Sequence, residues 1–389
     1  MIPVLLACST PVQETAAPAA TDSAPPPTVT VRPWIGVADP GAVRLRVETV
    51  EDIPVTVTLS DGRAFTAEST VRTVDYAWPD EDNSLELEHH DRSGQHVVHE
   101  VLLDELSEGV DYTWEASVGG LPYSGSFALP APGDTFRLAF VGDTMMPAQE
   151  DVLVQAAAFE ADLFLHGGDL QYQSLPGDTW GGTFHDLRHV AERAPIHVAL
   201  GNHEDEDFDE MNQRTLPLLG GQGEGGDRWH AFSYGGVRVI ALSTEDTLNE
   251  EGAEQLVWLE AELAAAGDDI VVFFHKPIYT LANHAPRDDI RAKLHPLFVE
   301  HGVDLVLQGH NHGYERFLVD GIPYVMDGGG GAAIYDMNSQ VKERPDEAPL
   351  RQFVEGSYGV SLITIAAGGE LSLTRVNRDG DTVESARLR

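Results

Sequence analysis

The sequence contains a single cysteine, Cys8, among its 389 residues. One cysteine cannot form a disulfide within the chain, so a small disulfide-stapled scaffold is excluded. Long apolar runs are missing as well, and no stretch is long and apolar enough to cross a bilayer as a helix. Hydrophobic residues nevertheless make up 42% of the chain. This composition indicates a globular protein of about two domains, each able to bury a core.

Basic side chains are scarce. The chain has 24 Lys and Arg residues against 64 Asp and Glu residues, which gives a formal net charge of −40. A field of this sign repels nucleic acid and anionic membrane surfaces, so we expect no nucleic-acid partner. It also repels anionic small molecules, and an enzyme that acts on one needs a strong local positive centre, such as a metal cluster. Adaptation to solubility or salt explains the acidic excess without any function.

The N-terminal segment carries two compositional signals. Residues 1–8 are mainly apolar and end in Leu5-Leu6-Ala7-Cys8, which resembles a bacterial lipoprotein lipobox with its lipidated cysteine. The segment lacks a basic stretch and is short for a signal peptide, so an ordinary chain terminus is the alternative. Residues 9–28 are rich in Ala, Pro, Thr and Ser and predict a linker. These features favour an extracytoplasmic protein, secreted or lipid-anchored at the cell envelope, with membrane attachment only through a lipidated Cys8.

Residues 29–130 predict an all-β domain, because short alternating apolar runs recur between turn signals. Strands are expected at Val43–Val47, Val55–Leu59, Leu85–Glu88 and Tyr112–Ala116. Asp61-Gly62 and Gly119-Gly120 suit hairpin turns. The segment Leu106–Tyr112 resembles the tyrosine corner of a fibronectin-III-like β-sandwich. The histidines of this region are expected to face solvent, namely His89, His90, His96 and His99.

Pro130–Gly133 marks a boundary, and residues 134–389 change to an alternation of strands and helices that predicts an α/β domain. The expected strands are Phe136–Val141, Asp162–Leu165, Ile196–Leu200, Trp229–Tyr234, Val237–Leu242, Ile270–Phe274, Val303–Leu307, Val360–Ile365 and Leu371–Val376. Helices are expected at Gln149–Glu160, Phe184–Arg193 and Ala253–Ala266, with one more between the strands at 270–274 and 303–307.

Five of these apolar runs lead into a polar motif of the kind that binds metals. The motifs are Gly142-Asp143, Gly168-Asp169-Leu170-Gln171-Tyr172, Gly201-Asn202-His203-Glu204, His275-Lys276-Pro277 and Gly309-His310-Asn311-His312. Open α/β sheets bind ligands beyond the carboxyl ends of their strands, so the five loops are expected to meet. Carboxylate and phenolate oxygens suit a hard trivalent ion, whereas imidazole and amide groups suit a divalent ion. Each motif alone could be a plain turn, and the argument rests on their combination.

The order of these motifs resembles that of the purple acid phosphatase branch of the calcineurin-like metallophosphoesterases. The resemblance covers most of residues 29–389, including the N-terminal β region and the tail Tyr358–Leu388. It implies an N-terminal all-β sandwich at 29–130 and an α/β metallophosphoesterase core at 134–389, built from two packed mixed sheets flanked by helices. Tyr172 separates this branch from most other metallophosphoesterases.

The resemblance also implies a ligand set for two metal ions. The ligands are Asp143, Tyr172 and His312 for Fe(III), Asn202, His275 and His310 for a divalent ion (Fe, Zn or Mn), and Asp169 as the bridge between the two. Since a free tyrosine has a pKa of about 10, a phenolate at neutral pH requires a strong Lewis acid beside it. His203 matches a histidine that contacts the phosphate. His284 resembles one that binds substrate or protonates the leaving group, although a plain surface histidine is the alternative.

The function implied by the resemblance is hydrolysis of small-molecule phosphate monoesters, with metal-bound hydroxide as the nucleophile. A phosphodiesterase or a nucleotidase on the same site is an alternative, since the motifs do not specify the leaving group. A non-catalytic surface-binding lipoprotein is the alternative from another class of protein. Two neighbouring features receive plain interpretations: Lys276 is expected to be a surface lysine, and Glu204–Glu210 an exposed acidic run.

Overall fold

The structure is a computed structural model. It describes residues 29–39, 41–74, 94–170, 172, 180–205, 215–219, 228–245, 253–267 and 269–389. The lipobox-like segment, the linker at 9–28 and the strand expected at Leu85–Glu88 lie outside the described residues, so these three stay predictions. Among the described residues, no helix has the length and apolar character needed to cross a membrane.

Among the described residues of the N-terminal region, all regular secondary structure is in strands. They are β1 Val29–Asp39, β2 Ala42–Thr49, β3 Val55–Leu59, β4 Ala64–Thr66, β5 Glu68–Val74, β6 Gly94–Leu103, β7 Val110–Val118 and β8 Leu121–Leu129. They form two four-stranded sheets, in the orders β1-β2-β6-β5 and β4-β3-β7-β8. All pairings are antiparallel. Their inner faces share one apolar cluster, so an all-β sandwich is the observed arrangement.

Strict alternation produces the sandwich core. Along β7, alternate residues are buried and exposed, and Trp114 on the inner face is 1% exposed. Such alternation is expected of an antiparallel sheet with one solvated face. The Tyr112 hydroxyl accepts a hydrogen bond of 2.9 Å from the Ser107 N–H, which is the contact made by a tyrosine corner. Membership of the fibronectin-III family stays a prediction.

Two histidines of this region correct the expectation of solvent exposure. His99 is fully buried and His96 is 3% exposed. His99 pairs with Val47 on the inward face, and its ring nitrogens contact the hydroxyls of Thr49 and Ser69 at 2.8 and 2.9 Å. Burial lowers the pKa of His99. Alternation in a strand with polar residues on both faces does not reveal which histidine points inward, and only the packing of the sheets decides it.

The part of residues 134–389 that the structure describes combines thirteen strands with short and medium helices. The strands are β9 Phe136–Val141, β10 Leu163–His166, β11 Ile196–Val198, β12 His230–Tyr234, β13 Val237–Ala241, β14 Ile270–Phe274, β15 Leu305–Gln308, β16 Tyr314–Val319, β17 Ile322–Asp327, β18 Arg351–Glu355, β19 Gly359–Ile365, β20 Leu371–Asn377 and β21 Thr382–Arg387. The helices are α1 Gln149–Ala158, α2 Trp180–Ala191, α3 Asn202–Asp205, α4 Leu216–Leu219, α5 Ala253–Ala265 and α6 Asp288–Glu300, with a 3₁₀ turn at Ala348–Leu350.

These strands build two mixed sheets that pack face to face. Their orders are β11-β10-β9-β19-β20-β21 and β12-β13-β14-β15-β17-β16-β18. Residues such as Phe140 of the first sheet and Phe273 of the second lie in one apolar cluster between the layers. The outer faces carry separate clusters, formed with α1 and α2 on one side and with α5 and α6 on the other. The expected α/β core of two packed mixed sheets flanked by helices is thus confirmed.

A pair of buried histidines joins the N-terminal region to this core. The Val37 N–H of β1 donates to His197 Nε2 at 3.0 Å, and His197 Nδ1 lies 3.0 Å from His230 Nε2. Since Nε2 of His197 is an acceptor, its Nδ1 carries the proton and donates it to His230. Burial lowers the pKa of both rings, that of His230 to about 3. The neutral pair therefore links β1, β11 and β12 as a structural contact.

Candidate metal centre

The parallel strands of the two sheets place the polar loops at one edge. β9, β10 and β11 run parallel, as do β13, β14 and β15, so the loops after them emerge on the same side of each sheet. Asp143, Asp169 and His310 have φ angles of 61°, 52° and 72°. Non-glycine residues rarely adopt this left-handed conformation, and where they do they often mark functional sites. The glycine before Asn202 is required by close packing, since a Cβ at Gly201 would collide with the Asp169 carboxylate.

One group of ligand atoms comes from Asp143, Tyr172 and His312. The Tyr172 hydroxyl donates to Asp143 Oδ1 at 3.2 Å and lies 3.1 Å from His312 Nε2. His312 Nε2 is 3.5 Å from Asp143 Oδ1. Two oxygens and one nitrogen therefore converge within 3.5 Å of one another. Separations of this size are those of atoms that share one metal ion, since each lies about 2 Å from the metal.

A second group is centred on His275. Its Nε2 lies 3.2 Å from Asp169 Oδ2, 3.3 Å from Asn202 Oδ1 and 3.1 Å from His310 Nδ1. The ligand atoms of Asp169, His275 and His310 all fall within 4.8 Å of one another. The structure thus brings all seven predicted ligands into two groups. The contacts of Asp169 are with the second group, and its bridging role stays a proposal.

Outer hydrogen bonds aim the imidazoles. His275 Nδ1 donates to the Gly167 carbonyl at 2.7 Å, and His312 Nδ1 donates to the Ala333 carbonyl at 2.8 Å. Each bond leaves the lone pair of Nε2 directed into the group of ligand atoms. The second oxygen of Asp143 accepts the His310 backbone N–H at 2.7 Å. Such second partners orient the ligands of metal sites in general.

Buried charge dominates the electrostatics of these groups. Asp143 is fully buried and Asp169 is 2% exposed. Burial raises the pKa of Asp143. Burial also opposes charge on His275, but the Asp169 and Asp143 carboxylates prevail and raise its pKa to about 10. The two carboxylates therefore attract positive charge strongly at this position, which a metal cation would supply in place of the proton.

The other ligands fit a metal cluster as well. Burial lowers the pKa of His310 to about 2 and that of His312 to about 4, so both imidazoles are neutral and able to bind metal. Burial and the Asp143 charge raise the pKa of Tyr172 well above its usual value. A phenolate there requires a strong Lewis acid. The donor set of carboxylate, phenol, amide and imidazole groups fits one trivalent and one divalent ion.

His203 and His284 stand on the rim of the two groups. The ring of His203 is 4.2 Å from that of Tyr172, and its Nε2 is 3.9 Å from Asp169 Oδ2. The ring of His284 is 4.6 Å from that of His310. Burial, followed by the like charge of His275, lowers the pKa of His284. The structure thus places both predicted histidines beside the ligands, where each can reach a bound anion.

Tyr335 is a residue of this rim that the sequence did not reveal. Its ring stacks on that of His312 with centroids 3.9 Å apart and an interplanar angle of 14°, and it meets the edge of His284 at 5.2 Å. Tyr335 follows the glycine run Gly328–Gly331 by four positions. These glycines let the backbone pass close to the metal loops, since a Cβ at Gly328 would collide with Asp143 and Asn311.

Two plain interpretations require correction. Glu204 is 3% exposed and not part of a solvated acidic run. Its carboxylate accepts the backbone N–H groups of Asp169, Leu170 and Gly201 at 2.7 to 2.8 Å, because the tight turns of both loops leave those donors without backbone partners. Lys276 is not a free surface lysine, since it forms an ion pair with the largely buried carboxylate of Glu245.

Comparisons with known proteins agree with this geometry. The calcineurin-like phosphoesterase family profile matches residues 136–314. An uncharacterised protein of Mycobacterium tuberculosis is 31% identical over 220 residues, which are 49% of this chain and 42% of that protein. Purple acid phosphatase 21 of Arabidopsis thaliana is 27% identical over 294 residues, 69% of this chain and 65% of that protein. This chain spans about half the length of the curated relatives that it matches.

Among solved structures, that of purple acid phosphatase PPD1 from yellow lupin seeds superposes with a TM-score of 0.75. The two chains are 19% identical, and the superposition covers 91% of this chain and 73% of the lupin chain. At this identity the likeness demonstrates a shared fold. The shared fold, the matching family profile and the two groups of metal-type ligands lead to one conclusion: the chain contains a calcineurin-like metallophosphoesterase domain and has the fold of a purple acid phosphatase.

Proposed function

We propose that this protein hydrolyses phosphate monoesters at a dinuclear metal centre. The observation that carries the proposal is the convergence of two adjoining ligand groups at the edge of the sheets. The first group is Asp143, Tyr172 and His312, and the second is Asp169, Asn202, His275 and His310. Structural metal sites are closed by protein ligands, whereas these groups have a rim of polar rings at which a substrate can bind.

Fe(III) would be held by the first group and a divalent ion (Fe, Zn or Mn) by the second, with the Asp169 carboxylate between the two. When bound, the ions supply Lewis acidity, which activates a water and neutralises phosphoryl oxygens. The neutral imidazoles and the buried carboxylates of this chain support that assignment, as does Tyr172, whose phenol loses its proton only beside a strong Lewis acid.

The residues on the rim would bind the ester and protonate its leaving group. His203 Nε2 faces the side of Asp169 at 3.9 Å and is placed to hydrogen-bond a phosphoryl oxygen. His284 lies beside His310 and would protonate the oxygen of the departing alcohol. Tyr335 stacks on His312 and forms a wall next to His284.

The test is hydrolysis of a nitrophenyl phosphate monoester and of the matching diester by iron-loaded protein. We expect a strong preference for the monoester. A preference for the diester would replace the proposal with the phosphodiesterase or nucleotidase alternative on the same site. Two bound ions without turnover of either ester would contradict catalysis and favour a non-catalytic binding protein.

The location of the protein is a separate proposal. A lipidated Cys8 and the linker at 9–28 would hold the folded region outside the cytoplasm, at the cell envelope. Mass spectrometry of the N-terminal peptide from the native host tests it. A diacylglyceryl group on Cys8 is the expected result, and an unmodified Met1 peptide would contradict it.

A further inference from the structure

Asn311 lies between the ligands His310 and His312 and is fully buried. Its side chain contacts the loop that carries His284. The Asn311 Oδ1 accepts the His284 backbone N–H at 2.8 Å, and Nδ2 donates to the His284 carbonyl at 2.9 Å. One amide group thus satisfies both backbone groups of His284. Such a double contact fixes the position of a loop residue as a strand partner would.

The same amide is tied into a buried network. Nδ2 of Asn311 also donates to Thr280 Oγ1 at 3.0 Å. Thr280 donates to Glu315 Oε2 at 2.5 Å and accepts the Ala282 N–H at 3.1 Å. The other oxygen of Glu315 accepts a bond of 2.7 Å from Arg351. The loop from Thr280 to His284 is therefore held from β16 and β18 as well as from the ligand loop.

We propose that Asn311 is the positioning residue that sets the His284 ring at the leaving-group side of the centre. The proposal rests on the proposed function. Because Asn311 lies between two metal ligands, any geometry that seats His310 and His312 also seats His284. In the step that depends on this contact, the oxygen of a water molecule forms a bond to phosphorus and its proton goes to solvent. The bond from phosphorus to the ester oxygen breaks, its electron pair stays on the ester oxygen, and the His284 imidazolium N–H gives its proton to that oxygen.

The experiment compares Asn311→Ala with the wild-type holoenzyme on a nitrophenyl ester and on a simple alkyl ester. Nitrophenolate leaves readily without a proton, whereas an alkoxide requires one. We expect the variant to lose about a hundredfold or more on the alkyl ester, in line with general acid catalysis. The loss on the nitrophenyl ester should be less than about tenfold, and two ions should stay bound per chain.

A second readout does not depend on activity. Loss of the Asn311 amide should accelerate hydrogen exchange at the His284 backbone N–H and across residues 280–286, with little change elsewhere. Thr280→Val is the second variant, because it removes the Thr280 bonds to Glu315, Ala282 and the Asn311 amide but leaves both contacts between Asn311 and the His284 backbone in place. It should show the same preference for the nitrophenyl ester to a smaller degree, so the proposal stays testable if Asn311→Ala folds poorly.

Asn377→Ala is the matched control. Asn377 also satisfies two backbone N–H groups, those of Asp379 and Asp381, at 3.0 and 2.9 Å. It is the last residue of β20, before the turn to β21, and the loss of its side chain should leave the ratio of the two ester rates unchanged. A double-variant cycle completes the design. His284→Ala should show the same selective loss of rate on the alkyl ester. Adding Asn311→Ala to it should lower that rate only slightly further.

Three results would overturn the proposal. The first is an Asn311→Ala loss that is equal for both esters and accompanied by lost metal, because Asn311 then only supports the ligand loop. The second is a normal rate of the His284→Ala variant on the alkyl ester. The proposed function would then stand, but His284 would not be the proton donor that Asn311 is proposed to position. A wild-type holoenzyme that turns over neither ester would refute the proposed function itself, and the catalytic role of Asn311 with it.

Discussion

Two clusters of buried histidines in this molecule differ in whether they favour neutral rings or bound positive charge. At the joint between β1 and the core, His197 and His230 bond to each other and to the Val37 N–H, and burial keeps both neutral. At the sheet edge, His275 lies 3.2 Å from Asp169 Oδ2 and its pKa rises to about 10. Burial is similar in the two places. The carboxylates that converge on the second cluster make it a site for a cation, whereas the first is a hydrogen-bonded joint.

The largest expected effect comes from removing a carboxylate of the sheet edge. Asp169→Asn should lose at least one ion and reduce the rate by about a thousandfold or more, since the amide carries no charge to hold a cation. Metal analysis and ester hydrolysis measure the two effects. Asp162→Asn is the control, because Asp162 lies at the opposite end of β10, where it bonds to the Arg137 N–H. Retention of both ions and of full rate in Asp169→Asn would refute the bridging role.

A smaller effect is expected when the support of that edge is weakened. Glu204→Gln keeps the shape of the side chain but replaces one of the oxygens that accept the Asp169, Leu170 and Gly201 N–H groups. The loops should loosen, and metal affinity should fall by about ten- to a hundredfold. Titration of the metal-free protein with zinc measures it. An unchanged affinity would show that the backbone holds these loops without the carboxylate.

The histidine joint should respond to acid in a predictable direction. The pKa of His230 is about 3 in the folded protein against an ordinary 6.5, so protons bind more tightly to the unfolded chain. The contribution of this histidine to the free energy of unfolding is fully present above pH 6.5. It is lost as the pH falls towards 3, by about 1.4 kcal/mol per pH unit. Urea unfolding of metal-free protein at pH 7 and pH 5 measures the loss. His230→Gln should reduce the difference between the two pH values, and an unaltered difference would exclude the joint as its source.

The smallest effect should come from substitution of Tyr335, whose ring lies beside His284. Tyr335→Phe keeps the ring that stacks on His312 at 3.9 Å and should leave metal content unchanged. Tyr335→Ala removes the wall and should lower kcat/KM several-fold, mainly through KM, because it alters substrate contact more than the ligands. Steady-state kinetics on the nitrophenyl monoester separate the two parameters. An equal loss for Tyr335→Phe and Tyr335→Ala would show that the hydroxyl, which both variants lack, matters instead of the ring.

The strands and ligands were predictable because both depend on local signals. The runs Phe136–Val141 and Ile270–Phe274 are the strands β9 and β14 to the residue. Strands buried on both faces read as continuous apolar segments. The polar residues directly after such strands could be placed at one edge without knowledge of the sheet order, and all seven predicted ligands lie there.

What escaped prediction depends on contacts between distant segments. Tyr335 contacts His312 from a loop whose sequence contains no recognisable motif. The sequence shows Asn311 only as the residue between two ligands, and its contact with the His284 loop is visible only in the folded structure. Glu204 was interpreted as part of an exposed acidic run because the sequence does not show the three backbone N–H groups that its carboxylate accepts in the fold. His99 was misplaced because strand alternation does not say which face is covered.

Anomalous diffraction from crystals loaded with iron and zinc tests the central claim most directly, because it locates each metal by element. The account predicts two ions: iron bonded to Asp143, Tyr172 and His312, and zinc bonded to Asn202, His275 and His310, with Asp169 touching both. A single ion confined to the Asp169, His275 and His310 group, with the phenol of Tyr172 still protonated and unbound, would contradict it.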